Sequence, residues 1–304
     1  MRYDFSQIDA APVAEGARYE IGSATVFAVR QENKDIALRI RRLDRPLRAQ
    51  LERTPFVRGM ARLLRCLFGW PDGVFESGEL FPQRIVKGSR FEQGFAKLFR
   101  VHPASFVAFG SALAAIALLG GLLWAGPWAL RRYALADQSL RIANATCCVA
   151  RVMGALIAAA LIPRLRVFSR FCMYRGAINQ VLNAHQKLGG EISREAAEAA
   201  SPYTGRNDAA FALLVLLLGL IAFSVVRTYT LWAQVVSRVL ILLAIAGLLN
   251  EPVRLLEQLP PGHPLSFLHA PLRALERLFV RRPHGQMLEV ALYAFNAALD
   301  HAEE

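Results

Sequence analysis

Two arginines inside otherwise apolar segments are the residues of this 304-residue chain whose positions most suggest a functional site. Arg151 follows Ile142 by nine residues and Arg238 follows Thr228 by ten, so we predict similar depths in two membrane-spanning helices. A charge near the centre of a bilayer costs at least ~2.5–3.5 kcal/mol, and such a residue is a site candidate by default. One hypothesis is a shared site for an anion, a lipid headgroup or a partner's carboxylate. The other is that each arginine snorkels or caps backbone carbonyls.

Common catalytic and metal-binding sequence motifs are missing from the sequence. It holds no Gly-rich phosphate loop, no G-x-S-x-G and no H-E-x-x-H, and its six histidines are scattered. His185 has no His or carboxylate three or four residues away, so we interpret it as an ordinary helix-surface or interface residue. The four cysteines show no C-x-x-C spacing, and Cys147 and Cys148 are adjacent in an apolar stretch. We therefore predict no metal, no cofactor and no disulfide between these two cysteines.

The composition is typical of a membrane protein. Hydrophobic residues make up 54% of the chain and charged residues 20%, which excludes a disordered chain and a disulfide scaffold. About 20 apolar residues suffice to cross the hydrocarbon core. Four stretches are long enough, and we predict two transmembrane hairpins from them: 104–130, 142–162, 209–226 and 228–250.

The distribution of basic residues predicts the orientation. With the N-terminus inside, 13 Lys and Arg flank the spans on the inner side and four on the outer side. Both termini and the central loop are therefore expected in the cytoplasm, and the net charge of +12 is expected to face anionic lipid rather than nucleic acid. The first ten residues hold no apolar stretch of signal-peptide type, so we expect insertion through internal segments.

The remaining sequence predicts a cytoplasmic α+β cap. Residues 25–30 and 35–40 alternate around a polar loop, which indicates a β-hairpin. Residues 54–68 form a basic amphipathic helix that lies on the membrane surface or packs on its own domain. Further helices are expected at 91–99, at 168–188, after a Ser193 cap, at 265–280 and at 286–299. The predicted regions are 1–103 (cytoplasmic), 104–163 (hairpin), 164–208 (cytoplasmic loop), 209–250 (hairpin) and 251–304 (cytoplasmic).

Five motifs in this order are similar to those of a known family. They are PVAEGARYEIGSATVFAVR at 12–30, PFVRG at 55–59, YRGAINQ at 174–180, SPYTG at 201–205 and RRPHGQMLEVALYAFNAAL at 281–299. With them, most of the chain resembles the YqhQ-like family of uncharacterised bacterial membrane proteins, which are described as predicted metal-dependent enzymes. The resemblance implies the fold of that family.

The comparison of motifs also implies that the presumed metal site of the family is lost here. A divalent ion needs several deprotonated or neutral donors, and Arg175 would add a positive charge in their place. The central motif of the family reads Tyr-His-Gly-Ala-Glu-His-Lys and the later one His-Pro-Arg-Cys-Gly. At the polar positions of these motifs this chain has Arg175, Ile178, Asn179, Gln180, Ser201, Tyr203 and Thr204.

We therefore expect a mainly α-helical protein of the bacterial inner membrane, with about four transmembrane helices and a cytoplasmic α+β cap containing a short β-hairpin. Its expected role is non-catalytic, structural or partner-binding, with anionic lipids and a protein partner in a membrane complex. One alternative is an enzyme that acts on a lipid or membrane-bound substrate from the cytoplasmic side. A second is a lipid- or anion-binding transport accessory that uses Arg151 and Arg238. The candidate cytoplasmic residues are Glu15, Arg58, Arg175, His185 and Glu289.

One pairing within this candidate cluster is predicted. Glu15, Arg58 and Glu289 are charged, match the family pattern and come from three distant segments. If these segments pack together, Arg58 pairs with Glu15 or Glu289. The competing hypothesis is that Arg58 is one surface charge on a basic helix face.

Overall fold

The computed structural model describes residues 8–13, 16–21, 24–30, 35–42, 54–66, 114–115, 117–188, 192–204, 207–225, 231–257, 267 and 270–302. Most of these residues are helical, and four strands lie near the N-terminus. The predicted short helix at 91–99 and the N-terminal part of the first predicted span lie outside the described residues.

The strands form one antiparallel sheet in the order β1-β2-β3-β4. Their bounds are Ile8–Val13, Gly16–Ile21, Ala24–Arg30 and Ile36–Arg42. The predicted hairpin is confirmed as β3 and β4, in which Arg30 pairs with Ile36. The sheet has two further strands that the sequence did not predict. β1 is rich in alanine and contains Pro12, which is tolerated because β1 lies at the edge of the described sheet.

Nine helical segments follow among the described residues. The first two, α1 and α2, cover 55–66 and 117–134. In α2, the turns Gly121–Ala125 and Leu130–Ala134 have the wide i→i+5 hydrogen-bond pattern. The other seven, α3 to α9, cover Leu140–Leu161, Arg166–Leu188, Arg194–Ala199, Asp208–Val225, Leu231–Glu257, Ala270–Phe279 and Gly285–Ala302.

Local signals placed several of these helices correctly. α1 begins after Thr54, and α4 ends at Leu188, directly before the Gly189-Gly190 pair. Ser193 caps α5 as predicted, because its Oγ accepts a hydrogen bond from the backbone N–H of Ala196.

One core joins the sheet to α4, α5 and α9. Tyr19 and Ile21 of β2 and Val26 of β3 pack against Ile178 of α4 and Phe295 of α9, all nearly or fully buried. The rings of Tyr19 and Phe295 meet edge to face with 5.2 Å between their centroids. Burial of this apolar surface fixes α4 and α9 on one face of the sheet.

A second core involves the apolar helices. Three helices, spanning Arg141–Arg164, Asp208–Val225 and Trp232–Leu256, are long and apolar enough to cross a membrane. They match the second, third and fourth predicted spans. Of the first predicted span, residues 104–113 and 116 lie outside the described residues, and residues 117–130 belong to α2. The helices α2 and α3 pack on each other, as do α6 and α7, and α6 also packs on α3.

Helix α1 docks across one end of the α6–α7 pair. Leu63 shares a buried cluster with Phe211 of α6, Val253 of α7 and Leu272 of α8. Gly59 lies so close to the backbone of α7 that an added Cβ would overlap the Ala246 carbonyl oxygen. Of the two predicted alternatives for this helix, the structure shows packing on its own chain.

We predict that Gly59→Ala destabilises the protein, because the new methyl group has to push α1 away from α7. Helix propensity alone would favour alanine over glycine by up to about 1 kcal/mol, so the expected change has the opposite sign. Gly120→Ala is the matched control, since nothing lies within 4 Å of a Cβ built there. Thermal unfolding in detergent measures both variants. Equal shifts for the two would contradict the close crossing of α1 and α7.

Candidate functional site

Two arginines of α1, one helical turn apart, each bind an acidic residue at the end of one apolar helix. Arg58 Nη2 donates to Glu251 Oε1 of α7 at 2.8 Å. Arg62 Nε donates to Asp208 Oδ1 at the start of α6 at 2.7 Å. The Arg62 guanidinium also lies over the Phe211 ring, 4.6 Å from its centroid. These contacts tie α1 to both helices of the α6–α7 pair.

This arrangement corrects the predicted role of Arg58. Its partner is Glu251, not Glu289, and Glu15 lies outside the described residues. Glu289 of α9 instead accepts hydrogen bonds from Arg30 of β3 and Arg194 of α5. The alternative, in which Arg58 is one surface charge on a basic helix face, does not describe its surroundings, because the side chain is only 21% exposed and pairs with Glu251.

A fully buried acidic residue, Glu276 of α8, joins the two sequence motifs at 174–180 and 201–205. Its Oε1 accepts hydrogen bonds from Thr204 N at 3.1 Å and Thr204 Oγ1 at 3.3 Å. Asn179 Nδ2 donates to the same oxygen at 3.4 Å and to the Pro202 carbonyl at 2.8 Å. A buried carboxyl group without such donors would be strongly destabilising, so these bonds fix α8 against α4.

The remaining polar residues of the central motif hold the segment at 200–204 in place. Gln180 Nε2 donates to the Ala200 carbonyl at 3.1 Å. One turn further along α4, Asn183 Nδ2 donates to the carbonyls of Ser201 and Tyr203 at 2.6 and 3.1 Å. The amide donors of these side chains thus satisfy backbone carbonyls of a connection, whereas the buried acceptor Gln180 Oε1 has no hydrogen-bond partner among the described residues.

Gly176 explains why the central motif needs a glycine. An added Cβ there would overlap the Arg281 carbonyl oxygen, in the connection between α8 and α9. The Arg281 N–H donates to the Cys172 carbonyl at 3.3 Å, and Arg281 Nη1 donates to Ser169 Oγ at 2.9 Å. The backbone of this connection therefore lies directly on α4.

The other two candidates on α4 also have structural contacts. Arg175 Nη1 donates to the Ala10 carbonyl at 2.8 Å and so binds β1 to α4. His185 is buried, and its ring meets the Phe295 ring edge to face with 5.0 Å between the centroids. The structure thus gathers Arg175, His185 and Glu289 around the sheet core, whereas Arg58 belongs to the contact with α7.

The two intramembrane candidates lie in different surroundings. Arg238 of α7 is exposed, and its guanidinium lies 5.8 Å from the centroid of the Phe223 ring of α6. Arg151 is half-buried on α3, three residues after Cys148, whose Sγ donates to the Leu220 carbonyl of α6. When the two arginines are projected onto the neighbouring helix α6, their levels therefore differ by about six residues, or roughly 9 Å. The two arginines thus lie beside different turns of α6, and their similar depth in a membrane stays a prediction.

Two cysteines near these contacts are held as thiols. Burial, together with a smaller contribution from the neighbouring Asp208 carboxylate, raises the pKa of Cys66 on α1 to about 12. Burial likewise raises the pKa of Cys172 on α4 to about 11. Neither sulfur is a thiolate at neutral pH, which is the form that attacks substrates and binds metals.

The residues at the motif positions do not fit a divalent metal ion. Around Glu276 there is one carboxyl group, and the Thr204 and Asn179 groups nearest to it act as donors toward it. A bound cation needs several acceptor atoms that converge on one point. In the part of the chain that the structure describes, no three His, Cys, Asp or Glu side chains come together.

The fold and these contacts define a mainly helical protein with span-length apolar helices and a small α+β domain held against them. Residues 54–301 match the family described as Protein of unknown function (DUF1385). The chain belongs to this family, and the resemblance to YqhQ-like proteins is confirmed. It is 26% identical over 133 residues to the "Uncharacterized protein YqhQ" of Bacillus subtilis (strain 168), over 44% of this chain and 42% of that protein. No solved structure matches it.

Sequence reasoning missed Glu276. It lies in the stretch LRALERLF between Arg273 and Arg277, a pattern typical of a solvated helix face. One signal was present: Leu272, Leu275 and Phe279 place Glu276 on the apolar side of α8 at helical spacing.

We predict that Arg58→Ala and Glu251→Ala each destabilise the protein and that the double variant is less harmful than their sum. Since the Arg58 side chain is 21% and the Glu251 side chain 36% exposed, we expect a coupling of about 1–2 kcal/mol, between the values for exposed and fully buried pairs. Chemical denaturation of the four proteins of this cycle measures it. Arg65→Ala, at an exposed position of α1, is the control for losing one positive charge. If the losses of unfolding free energy in the two single variants simply add up in the double variant, the Arg58–Glu251 pair contributes nothing to stability.

Proposed function

We propose that this protein is a multi-pass protein of the bacterial inner membrane with a non-catalytic role, holding a cytoplasmic α+β domain rigidly at the membrane for a protein partner. The observation that carries this proposal is the hydrogen-bond network on Glu276. Asn179 and Thr204, at family motif positions, donate to Glu276, and Gln180 donates to the Ala200 carbonyl, so these donors hold α4, α8 and the 200–204 segment together. An active site needs polar groups that remain accessible to a substrate.

The contacts of the other candidates support the same proposal. Arg58, Arg175 and Glu289 each bond to another segment of the chain, and His185 packs in the core. The enzyme alternative needed Arg58 beside Arg175 and His185, yet Arg58 bonds to α7 while the other two line the sheet core. None of these described contacts favours an enzymatic role over a structural one.

Anionic lipid headgroups are the lipid partner in this proposal, and a basic collar supports it. We define the collar as residues 164–172 and 270–284, which include seven arginines and one acidic residue, the buried Glu276. Arg164, Arg277 and Arg282 are exposed. Helix α8 packs on α3 and α6, and we assign the neighbouring ends of these two helices to the cytoplasmic side. In this proposal the collar therefore lies at the level of the lipid headgroups.

Metal content tests the non-catalytic proposal. Protein purified without a chelating tag should carry well under one equivalent of Zn, Mn or Fe after dialysis. Glu276→Gln should lower the melting temperature, since it perturbs the buried network, and leave the metal content unchanged. Stoichiometric metal that is retained in the natural protein and lost in Glu276→Gln would overturn the proposal.

Reporter fusions test the membrane arrangement. Fusions after residues 100, 185 and 304 should report the cytoplasm, and a fusion after residue 136 should report the periplasm. The residues that follow position 136 enter α3, and those before position 185 lie in α4. A periplasmic signal at 185 would contradict the four-span arrangement.

A further inference from the structure

Arg151 lies deep within an apolar helix, and none of the described residues at its level is acidic. It is about ten residues from Arg141 and 13 from Arg164, which bound the span-length stretch, so roughly 15–20 Å of helix separates it from either end. The sequence holds no Asp or Glu from 93 to 136, and none from 138 to 190. Asp208 and Glu251, at the ends of α6 and α7, already bind Arg62 and Arg58.

The Arg151 side chain leaves α3 on its inward side. At 100° per residue it lies nearly opposite the exposed Val149 and Met153. One turn before it, buried Cys147 donates its thiol to the Pro127 carbonyl of α2 at 3.5 Å. One turn after it, the backbone of Gly154 lies against the Leu122 carbonyl of α2. Arg151 is therefore placed between two contact points of α2 and α3.

Arg151 belongs to a polar stripe on that inward side. Asn144, Cys148 and Arg151 follow one another at helical spacing, and all three are half-buried. Cys148 Sγ donates to the Leu220 carbonyl, which places the stripe where α3 meets α6 as well as α2. Opposite it, the turn Gly121–Ala125 has the wide i→i+5 pattern, which is frequent at functional sites.

Within the described residues no hydrogen bond or ion pair joins the Arg151 side chain to another residue. Arg238 differs in this respect, because it is exposed and stacks on Phe223. A half-buried guanidinium on the inward side of an apolar helix pair, with no acid at its level, needs a negative group from elsewhere. Its planar fork of donors matches the oxygens of a phosphate group.

We propose that Arg151 and Asn144 form an intramembrane binding site for a phosphate group between α2, α3 and α6. The site rests on the membrane placement of α3 in the proposed function, and reporter fusions test that placement separately. The same phosphate chemistry is offered by the headgroup of an acidic phospholipid drawn between the helices and by free phosphate. The site is distinct from the basic collar, which would bind headgroups at the surface.

The experiment uses the purified full-length protein in maltoside micelles, which contain no phosphate. Its melting temperature is followed while phosphatidylglycerol, inorganic phosphate, or diacylglycerol with matching acyl chains is added. We expect saturable stabilisation by phosphatidylglycerol or by inorganic phosphate and none by diacylglycerol. Arg151→Gln should weaken the apparent affinity at least tenfold, and Arg151→Lys should retain part of it because the charge remains.

The matched control is the collar variant Arg164→Gln/Arg277→Gln/Arg282→Gln, which should leave the saturable binding within twofold of the natural protein. If inorganic phosphate alone gives the Arg151-dependent effect, the occupant is a free anion; if only phosphatidylglycerol does, it is a lipid. The proposal is overturned if neither probe stabilises the natural protein, or if Arg151→Gln binds as tightly as it does. An effect that disappears only in the collar variant would equally overturn it. Should Arg151→Gln fail to fold, Arg151→Lys and Asn144→Ala in the same titration decide between these outcomes.

Discussion

The buried carboxyl group of Glu276 is the constraint on which the arrangement of the two cores depends. A carboxyl group removed from water must find hydrogen-bond donors, and here Thr204 and Asn179 supply them. Thr204 and Asn179 belong to different segments of the chain, so satisfying one oxygen brings α4, α8 and the segment before α6 to one point. Because α8 also packs on α6 and α3, the network links the α+β domain to the apolar helices.

Helix α1 provides a second link, to the helices α6 and α7, and its sequence suits this contact. Two arginines at i and i+4 lie on one face of the helix, so a single face can bind the ends of two neighbouring helices. Gly59, between them in sequence, allows the backbones of α1 and α7 to approach closely. The motif PFVRG thus describes a helix crossing, in which the small residue sets the distance and Arg58 sets the partner.

The same contacts bear on function within this family. In this chain several residues at the motif positions join segments that are remote in sequence, as Arg58, Arg175 and Asn179 do through their side-chain hydrogen bonds. Polar residues with such a role differ from catalytic ones, which are held in place by neighbours and keep an open side toward the substrate. Arg58 is an example of a polar residue with a structural role, because it pairs with Glu251. The Arg151 side chain, in contrast, has no partner among the described residues.

The sequence by itself determined the elements whose signals are local. Hydropathy over 18 to 27 residues located α3, α6 and α7, alternation located β3 and β4, and Ser193 marked the start of α5. These signals depend on neighbouring residues only. Tertiary structure alone decided that Arg58 binds Glu251, 193 positions away, and that Glu276 faces α4 rather than water. The strands β1 and β2 are also of this kind, since their sequences carry weak strand signals and residues of both pack in the core that α4 and α9 form with the sheet. A charged residue has the same local pattern whether it is solvated or buried, and only the packing of distant segments distinguishes the two.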